Sequence, residues 1–338
     1  MPQTATILRL NDASIGFQTK NKEMLLLESL NLDIKTGELT GLIGRNGSGK
    51  STLLRTIVRL QKLLKGTIHR NDENIQDIET ADFSRLLAYV ASGIEFSETM
   101  TVRELVSMGR FPYTNWIGRL LASDIELIDE AMEKTGVSHL AGRKLIEISD
   151  GEKQKAMIAR TLAQNTPLIV LDEPTAFLDL PSKYDIISLL YELTRKGKTV
   201  IYSTHDLNIA IRFSDTVWLI DNQKIHDGSP EDLILNKTIA GIFESDKIVL
   251  NPMTGDFDLR KQFSKKLSLN CTIPEIYYWT KQALQRSGYE VSQSEEEKLL
   301  ISVELTDNKI NWIVKHPEKS LRFNSIYELL LVLPKLYV

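Results

Sequence analysis

Eight consecutive residues, Gly44-Arg45-Asn46-Gly47-Ser48-Gly49-Lys50-Ser51, place three glycines and two hydroxyls around one lysine. That pattern suits a phosphate chain. Glycines let the backbone curl until successive N–H groups converge on an anion, and a helix opening at the same point adds the positive end of its dipole. Lys50 then reaches the β- and γ-phosphates as a mobile charge, and the Ser51 hydroxyl takes a position on Mg²⁺. The rest of the cradle is Gly44, Asn46, Gly47, Ser48, Gly49 and Thr52. The plainer alternative is a Gly-rich surface turn before an ordinary helix. A second chemical signal is Asp172-Glu173, which ends the apolar run Pro167 to Leu171. Adjacent carboxylates at the end of a buried strand are costly without a cation nearby. A third apolar run, Thr199 to Ser203, ends at Thr204-His205-Asp206, and at such a sheet edge a phosphate-facing role suits His205 better than a structural one. Together these residues indicate a nucleotide–Mg²⁺ site.

The elements around them fit an α/β chain. Leu39 to Ile43 reads as a buried strand feeding the Gly-rich loop, and Thr52 to Val58 as the helix leaving it, which is the context a P-loop needs. Upstream, Ile7 to Phe17 alternates loosely and predicts a strand ending in a turn around Gly16. Met24 to Ile34, with Leu30, Leu32 and Ile34 on one face, predicts its antiparallel partner. Phe17 stands where a ring could lie against adenine, although a strand-end Phe also suits a core. Gly66 to His69 and Leu87 to Val90 read as short strands. From about Glu95 to Asn165 the pattern turns helical, with Thr101 to Gly109 and Ser123 to Thr135 as helices and Pro112 as a stop. Ser149-x-x-Glu152 is a capping box opening a helix to about Ala163, and Pro181 marks the start of an amphipathic helix, Leu180 to Arg195. Val217 to Asp221 and Lys224 to His226 predict a hairpin, and Ser229-Pro230-Glu231 a helix start.

At 338 residues, with 42% hydrophobic and 25% charged residues, the chain suits one large globular domain plus a smaller one. A net charge of −4 with no compensating basic patch argues against nucleic acid as a partner. The single cysteine, Cys271, excludes an internal disulfide and a zinc cluster, suits a cytoplasmic setting, and reads as a small buried residue in a strand. Met1-Pro2-Gln3-Thr4 has no leader character, and no apolar run reaches membrane-spanning length, so any membrane role is expected to be peripheral.

Over roughly Ile7 to Val249 the chain resembles the ATP-binding subunit of an ABC transporter. The motifs stand in that family's order: the P-loop, Ile148-Ser149-Asp150-Gly151-Glu152 like the signature segment, Leu171-Asp172-Glu173-Pro174, Phe177-Leu178-Asp179 like the D-loop, and His205 like the switch histidine. The resemblance implies an ABC-type P-loop nucleoside triphosphatase with an antiparallel β subdomain and a helical subdomain (about 95–165), spanning 1–249. It also implies ATP and Mg²⁺ as cofactors, with Asp172 holding the metal through water, Glu173 as general base and His205 sensing the γ-phosphate. Cassettes of this family pair head to tail, so Ser149 and Gly151 are expected to touch ATP bound to the opposite copy of a homodimer that drives integral-membrane permease subunits, with Asp179 of the D-loop also among the nucleotide-binding residues. An extracytoplasmic binding protein is an indirect partner, and the chain itself would sit on the inner face of the membrane.

Two positions depart from the family pattern. Asp150 stands where a glycine is usual, and its side chain is expected to point away from phosphate. Ser92 stands where a glutamine is usual, too short to reach the metal except through water. Thr101 to Val106 with Met108-Gly109-Arg110-Phe111-Pro112-Tyr113 resembles the branch serving iron–siderophore, haem and cobalamin importers, and this region is expected to face the permease. From about Asn251 the resemblance fades. Lys266 to Cys271, Lys298 to Leu305 and Lys309 to Val314 read as strands, and Pro274 to Ser287 and Ser325 to Leu333 as helices, a small α+β domain (250–338). A dimer contact is the favoured role there over regulator binding, with Tyr277, Tyr278 and Trp279 expected in its core. The competing reading from another class is a soluble ABC-type ATPase acting on nucleic acid or ribosomes. A third is a nucleotide-gated module without turnover, which would not need Glu173.

Overall fold

Leu39–Gly44 is buried at every residue, and its neighbours explain why. It lies inside a six-stranded sheet in the order Lys224–Gly228, Thr216–Asp221, Leu39–Gly44, Thr199–Ser203, Leu168–Leu171, Leu87–Val90. Five of these strands run parallel, and Lys224–Gly228 pairs antiparallel as a hairpin with Thr216–Asp221. Both faces are covered, so the strands read as unbroken apolar runs. Successive residues feed opposite cores: Ile169, Leu171, Val200 and Tyr202 pack with the helical segments, while Leu168, Val170 and Ile201 pack toward a second, antiparallel sheet. The computed structural model describes residues 5–19, 22–93, 97, 99–114, 118–294, 297, 299–306, 309–316 and 319–336. Met1 to Thr4, Glu95 and Lys298, where sequence features were expected, lie outside them.

The antiparallel sheet has the order Lys22–Lys35, Thr6–Thr19, Lys65–Arg70, Glu73–Asn74. Leu30, Leu32 and Ile34 are all buried, as the alternation predicts. Gly16 is not a turn. The strand continues through it to Thr19, and a Cβ at Gly16 would sit 2.0 Å from the Met24 carbonyl oxygen, so glycine is required by close approach of the partner strand. In the helical subdomain, the helix Val102–Ser107 is opened by a capping box between Thr101 and Glu104. Pro112 does not stop that helix. The helix gives way at Met108 to a 3₁₀ turn, Met108–Tyr113, that contains Pro112. Arg110 at its centre is buried, donates to Asp124 Oδ1 at 2.9 Å and to the Ala163 carbonyl at 2.7 Å, and stacks 4.0 Å from the Tyr113 ring. A buried guanidinium with this many partners locks Ala122–Lys134 and Asp150–Gln164 to the turn.

The chain divides into two compact units, residues 1–244 with 250–256, and residues 245–249 with 257–338. In the second, five strands are ordered Tyr289–Ser292, Lys265–Asn270, Leu300–Thr306, Lys309–His316, Lys319–Phe323, the first two pairings parallel and the rest antiparallel. The helices Pro274–Arg286 and Ile326–Val332 complete an α+β unit, whose core includes Leu267, Leu284, Ile301, Val314 and Leu329. Trp312 Nε1 donates to Thr280 Oγ1 at 2.9 Å across that core. Two sequence expectations fail here. Tyr277 packs against the core, but Tyr278 and Trp279 are 50% and 61% exposed, stacked edge to face on each other, because Ile276, Thr280, Ala283 and Leu284 set the buried face of the helix. Cys271 follows the strand rather than lying in it and is only half-buried. The strands Tyr289–Ser292 and Lys319–Phe323 and the helices Thr80–Leu86 and Leu207–Phe213 carried no signal strong enough to be read from sequence.

Candidate nucleotide site

The parallel arrangement brings the C-terminal ends of Leu39–Gly44, Leu168–Leu171 and Thr199–Ser203 to one sheet edge, the edge where ligands bind in such folds. The P-loop, Asp172-Glu173 and His205 therefore meet. Gly47 and Gly49 adopt the left-handed region, with φ of 76° and 104°, and nothing lies within 4 Å of a Cβ built on Gly47. The helix Lys50–Ile57 starts directly from this turn. Lys50, 5% exposed, curls back so that its Nζ donates to the Gly44 carbonyl at 2.9 Å. Burial pushes the ammonium pKa below its ordinary value, against the opposing pull of Glu173 and Asp172.

Asp172 is 1% exposed and is held by hydroxyls. Ser51 and Ser203 donate to Oδ1 at 3.0 and 2.7 Å, and Ser92 donates to Oδ2 at 3.3 Å. Glu173 adopts a left-handed φ of 53°, which turns its side chain out of the strand line toward His205, and the two side chains are hydrogen-bonded through Nε2 and Oε1. Lys50 Nζ lies 3.4 Å from His205 Nδ1. A lysine only donates, so Nδ1 accepts and Nε2 carries the proton toward Glu173. Lysine, histidine and glutamate thus form one continuous chain from the loop to the acid.

The residues fit a magnesium nucleotide. Among the described residues no cluster of three or more acidic, histidine or cysteine side chains could hold a metal by itself. A serine hydroxyl beside a single carboxylate, Ser51 and Asp172, is instead the partial shell expected of Mg²⁺ that takes its other ligands from phosphates and water. Ser48 Oγ is buried without a hydrogen-bond partner among the described residues.

Other predicted site residues lie further out. Ser149 caps the helix Asp150–Gln164, its hydroxyl engaged with Glu152, and Gly151 is in the first turn. A cleft of about 330 Å³ joins the start of that helix to the acids, lined by Ser92, Asp150, Lys153, Asp172, Glu173 and Phe177. Asp150 pairs with Lys153 at 2.9 Å. Asp179 caps Leu180–Arg195 by accepting from the Ser182 N–H, and the Ser182 hydrogen bonds hold its carboxyl below the usual range. Phe17 is 43% exposed near the end of its strand, opposite Met24. Sequence reasoning missed Ser203, which is fully buried against both acids. Its signal was positional: it closes the apolar run before His205.

Comparison with known proteins identifies the family. Residues 27–176 match the ABC transporter family, and residues 273–334 match the iron ABC transporter C-terminal domain. The chain is 37% identical over 236 residues to the petrobactin import ATP-binding protein of Bacillus anthracis, covering 69% of this chain and 86% of that one. It is 35% identical to the ferric enterobactin transport ATP-binding protein of Escherichia coli, over 72% and 89% of the two chains. Among solved structures it is similar to an ABC transporter ATP-binding cassette in its ADP conformation, with a TM-score of 0.63, 26% identity and coverage of 71% and 99%. A dimeric cassette in a post-hydrolysis state with ADP and Pi aligns with a TM-score of 0.59 and 26% identity over 66% and 98%. The chain belongs to the ATP-binding subunits of ABC transporters and is an ATPase of that family.

Proposed function

We propose that this chain powers import of an iron–siderophore complex, or of haem or cobalamin, by hydrolysing Mg-ATP between two head-to-tail copies docked on permease subunits. The observation that carries the reading is the convergence of Lys50, Asp172, Glu173 and His205 on one sheet edge. The cargo class is supported by relatives named for petrobactin and enterobactin and by the iron-type C-terminal match. Nucleic acid as the target has no such support.

Within the site, the P-loop amides and Lys50 hold the β- and γ-phosphates, with Gly44, Asn46, Gly47, Ser48, Gly49 and Thr52 completing the cradle and Phe17 beside the base. Ser51 and Asp172 would hold Mg²⁺, which would supply neutralisation of the phosphate charge. Glu173 accepts a proton from the attacking water, and His205 turns its Nε2–H from Glu173 to the γ-phosphate oxygen and loses that contact when phosphate leaves. Ser149 and Gly151 of the second copy close the site from across the seam, with Asp179 beside it. The pairing of Asp150 with Lys153 neutralises a carboxylate that would otherwise repel the triphosphate.

Permease contact is assigned to an apolar groove of about 770 Å³ in the helical subdomain, floored by Met100, Met108, Leu120 and the exposed ring of Phe111. Among the described residues no helix is long and apolar enough to cross a membrane, so attachment to the inner face runs through that docking. An extracytoplasmic binding protein would deliver the cargo to the permease. The test is uptake of labelled iron–siderophore, haem and cobalamin by cells carrying either the parent chain or Glu173→Gln. Loss of uptake for one class with Glu173→Gln supports the reading. Equal uptake of all three in both strains contradicts it.

A further inference from the structure

Ser203 has 0% exposure and sits at the end of its strand, where the parallel register aligns Tyr202 with Leu171 and so brings Ser203 beside the acids that follow. Its one oxygen serves both. It accepts from the Glu173 N–H at 2.8 Å and donates to Asp172 Oδ1 at 2.7 Å. A serine hydroxyl has a single proton, so engagement of its lone pair by the Glu173 amide leaves that proton directed at Asp172. Glu173 is left-handed at φ 53°, a conformation that is strained for a non-glycine residue and persists only when the surroundings over-determine it. The Asp172 N–H is already taken by the Val90 carbonyl at 2.8 Å, which continues the sheet. The chain therefore turns between Asp172 and Glu173, and the hydrogen bond that fixes the far side of the turn is the one to Ser203.

We infer that Ser203 is a positioning residue for the reaction, a buried clamp that sets the rotamer of Asp172 and the backbone turn of Glu173 with one hydroxyl. The assignment rests on the reading of Asp172 as the metal-side acid and Glu173 as the base. It adds how the two are kept in fixed relation. Ser51 and Ser92 also touch Asp172, but each sits on a loop or helix start at the ligand-facing side. Ser203 approaches from inside the sheet and has no ligand-facing task. An apolar residue here would strand the Glu173 amide and leave Asp172 Oδ1 with the longer, ligand-side hydrogen bond from Ser51 alone. Outer partners of metal-holding side chains typically change metal affinity or activity by about 10–100-fold when removed.

The experiment uses the full chain as parent, Ser203→Ala and Ser203→Thr. Binding of a fluorescent ATP analogue is titrated without Mg²⁺ and then against Mg²⁺, alongside steady-state hydrolysis. In Ser203→Ala the Mg²⁺-free affinity is expected to stay within about threefold, because the Lys50 cradle is untouched, while half-saturating Mg²⁺ rises about tenfold and kcat falls about tenfold. Ser203→Thr, which keeps the hydroxyl, is expected to recover most of both. The proposal is overturned if Ser203→Ala binds Mg²⁺ like the parent. It is equally overturned if the Mg²⁺-free affinity collapses with it, which would mean the hydroxyl supports the whole loop rather than the acids. If the parent itself fails to hydrolyse ATP, the functional reading falls, and the Mg²⁺ titration still tests the clamp.

Discussion

Glu173→Gln is expected to lower ATP turnover by about 10²–10⁴-fold, roughly 3–5 kcal/mol of barrier, while ATP affinity changes by less than about threefold. The substitution keeps the size and one oxygen of the side chain, so the contact with His205 Nε2 and the left-handed turn at Glu173 can both persist. What disappears is a group able to accept the proton of the attacking water. Asp172 cannot take over: it is buried, and the hydroxyls of Ser51, Ser203 and Ser92 already engage both its oxygens. Steady-state hydrolysis measured beside equilibrium nucleotide binding checks the prediction. A variant with turnover within a few-fold of the parent would remove Glu173 from the chemistry.

Lys50→Ala is expected to act on binding as well as turnover. Hydrogen bonds to charged groups contribute about 1.5–3 kcal/mol, so ATP affinity should fall roughly 10–100-fold, with a further loss of about 10²–10³ in kcat from the missing charge at the γ-phosphate. The ammonium is held ready: its donors rest on the Gly44 and Arg45 carbonyls, 2.9 and 3.4 Å away, and burial has already stripped most of its water. A phosphate oxygen therefore replaces carbonyl oxygens rather than bulk solvent, and little reorganisation opposes binding. Calorimetric titration with ATP, together with hydrolysis, separates the two effects. Unchanged affinity would mean that the loop amides alone bind the triphosphate.

The sheet edge was legible because its signals are local. A glycine-rich loop between an apolar run and a helix, and acids or a histidine closing other apolar runs, each lie within a few residues of sequence, and the parallel fold then superposes them. What stayed hidden depends on partners distant in the chain. Ser203 looks like any serine ending a strand until the register against Leu168–Leu171 sets it beside Asp172. Gly16 reads as a turn until the Met24 carbonyl appears 2.0 Å from where its Cβ would be. Arg110 reads as part of a surface motif, yet its charge is buried against Asp124, fourteen residues on. Tyr278 and Trp279 show the limit of composition: two large aromatic residues suggest a core, but the helical face is decided by Ile276, Thr280, Ala283 and Leu284.

The central claim is that one triphosphate is held between the Lys50 loop of one copy and Ser149 of another. Sedimentation of Glu173→Gln with Mg-ATP tests it most directly, because a protein that binds but barely cleaves accumulates in the closed form. The account predicts a dimer that forms only with ATP and that is lost when Ser149→Arg is added to the same chain, although each monomer still binds nucleotide. Monomers saturated with ATP, or a dimer indifferent to ATP and to Ser149→Arg, would contradict it.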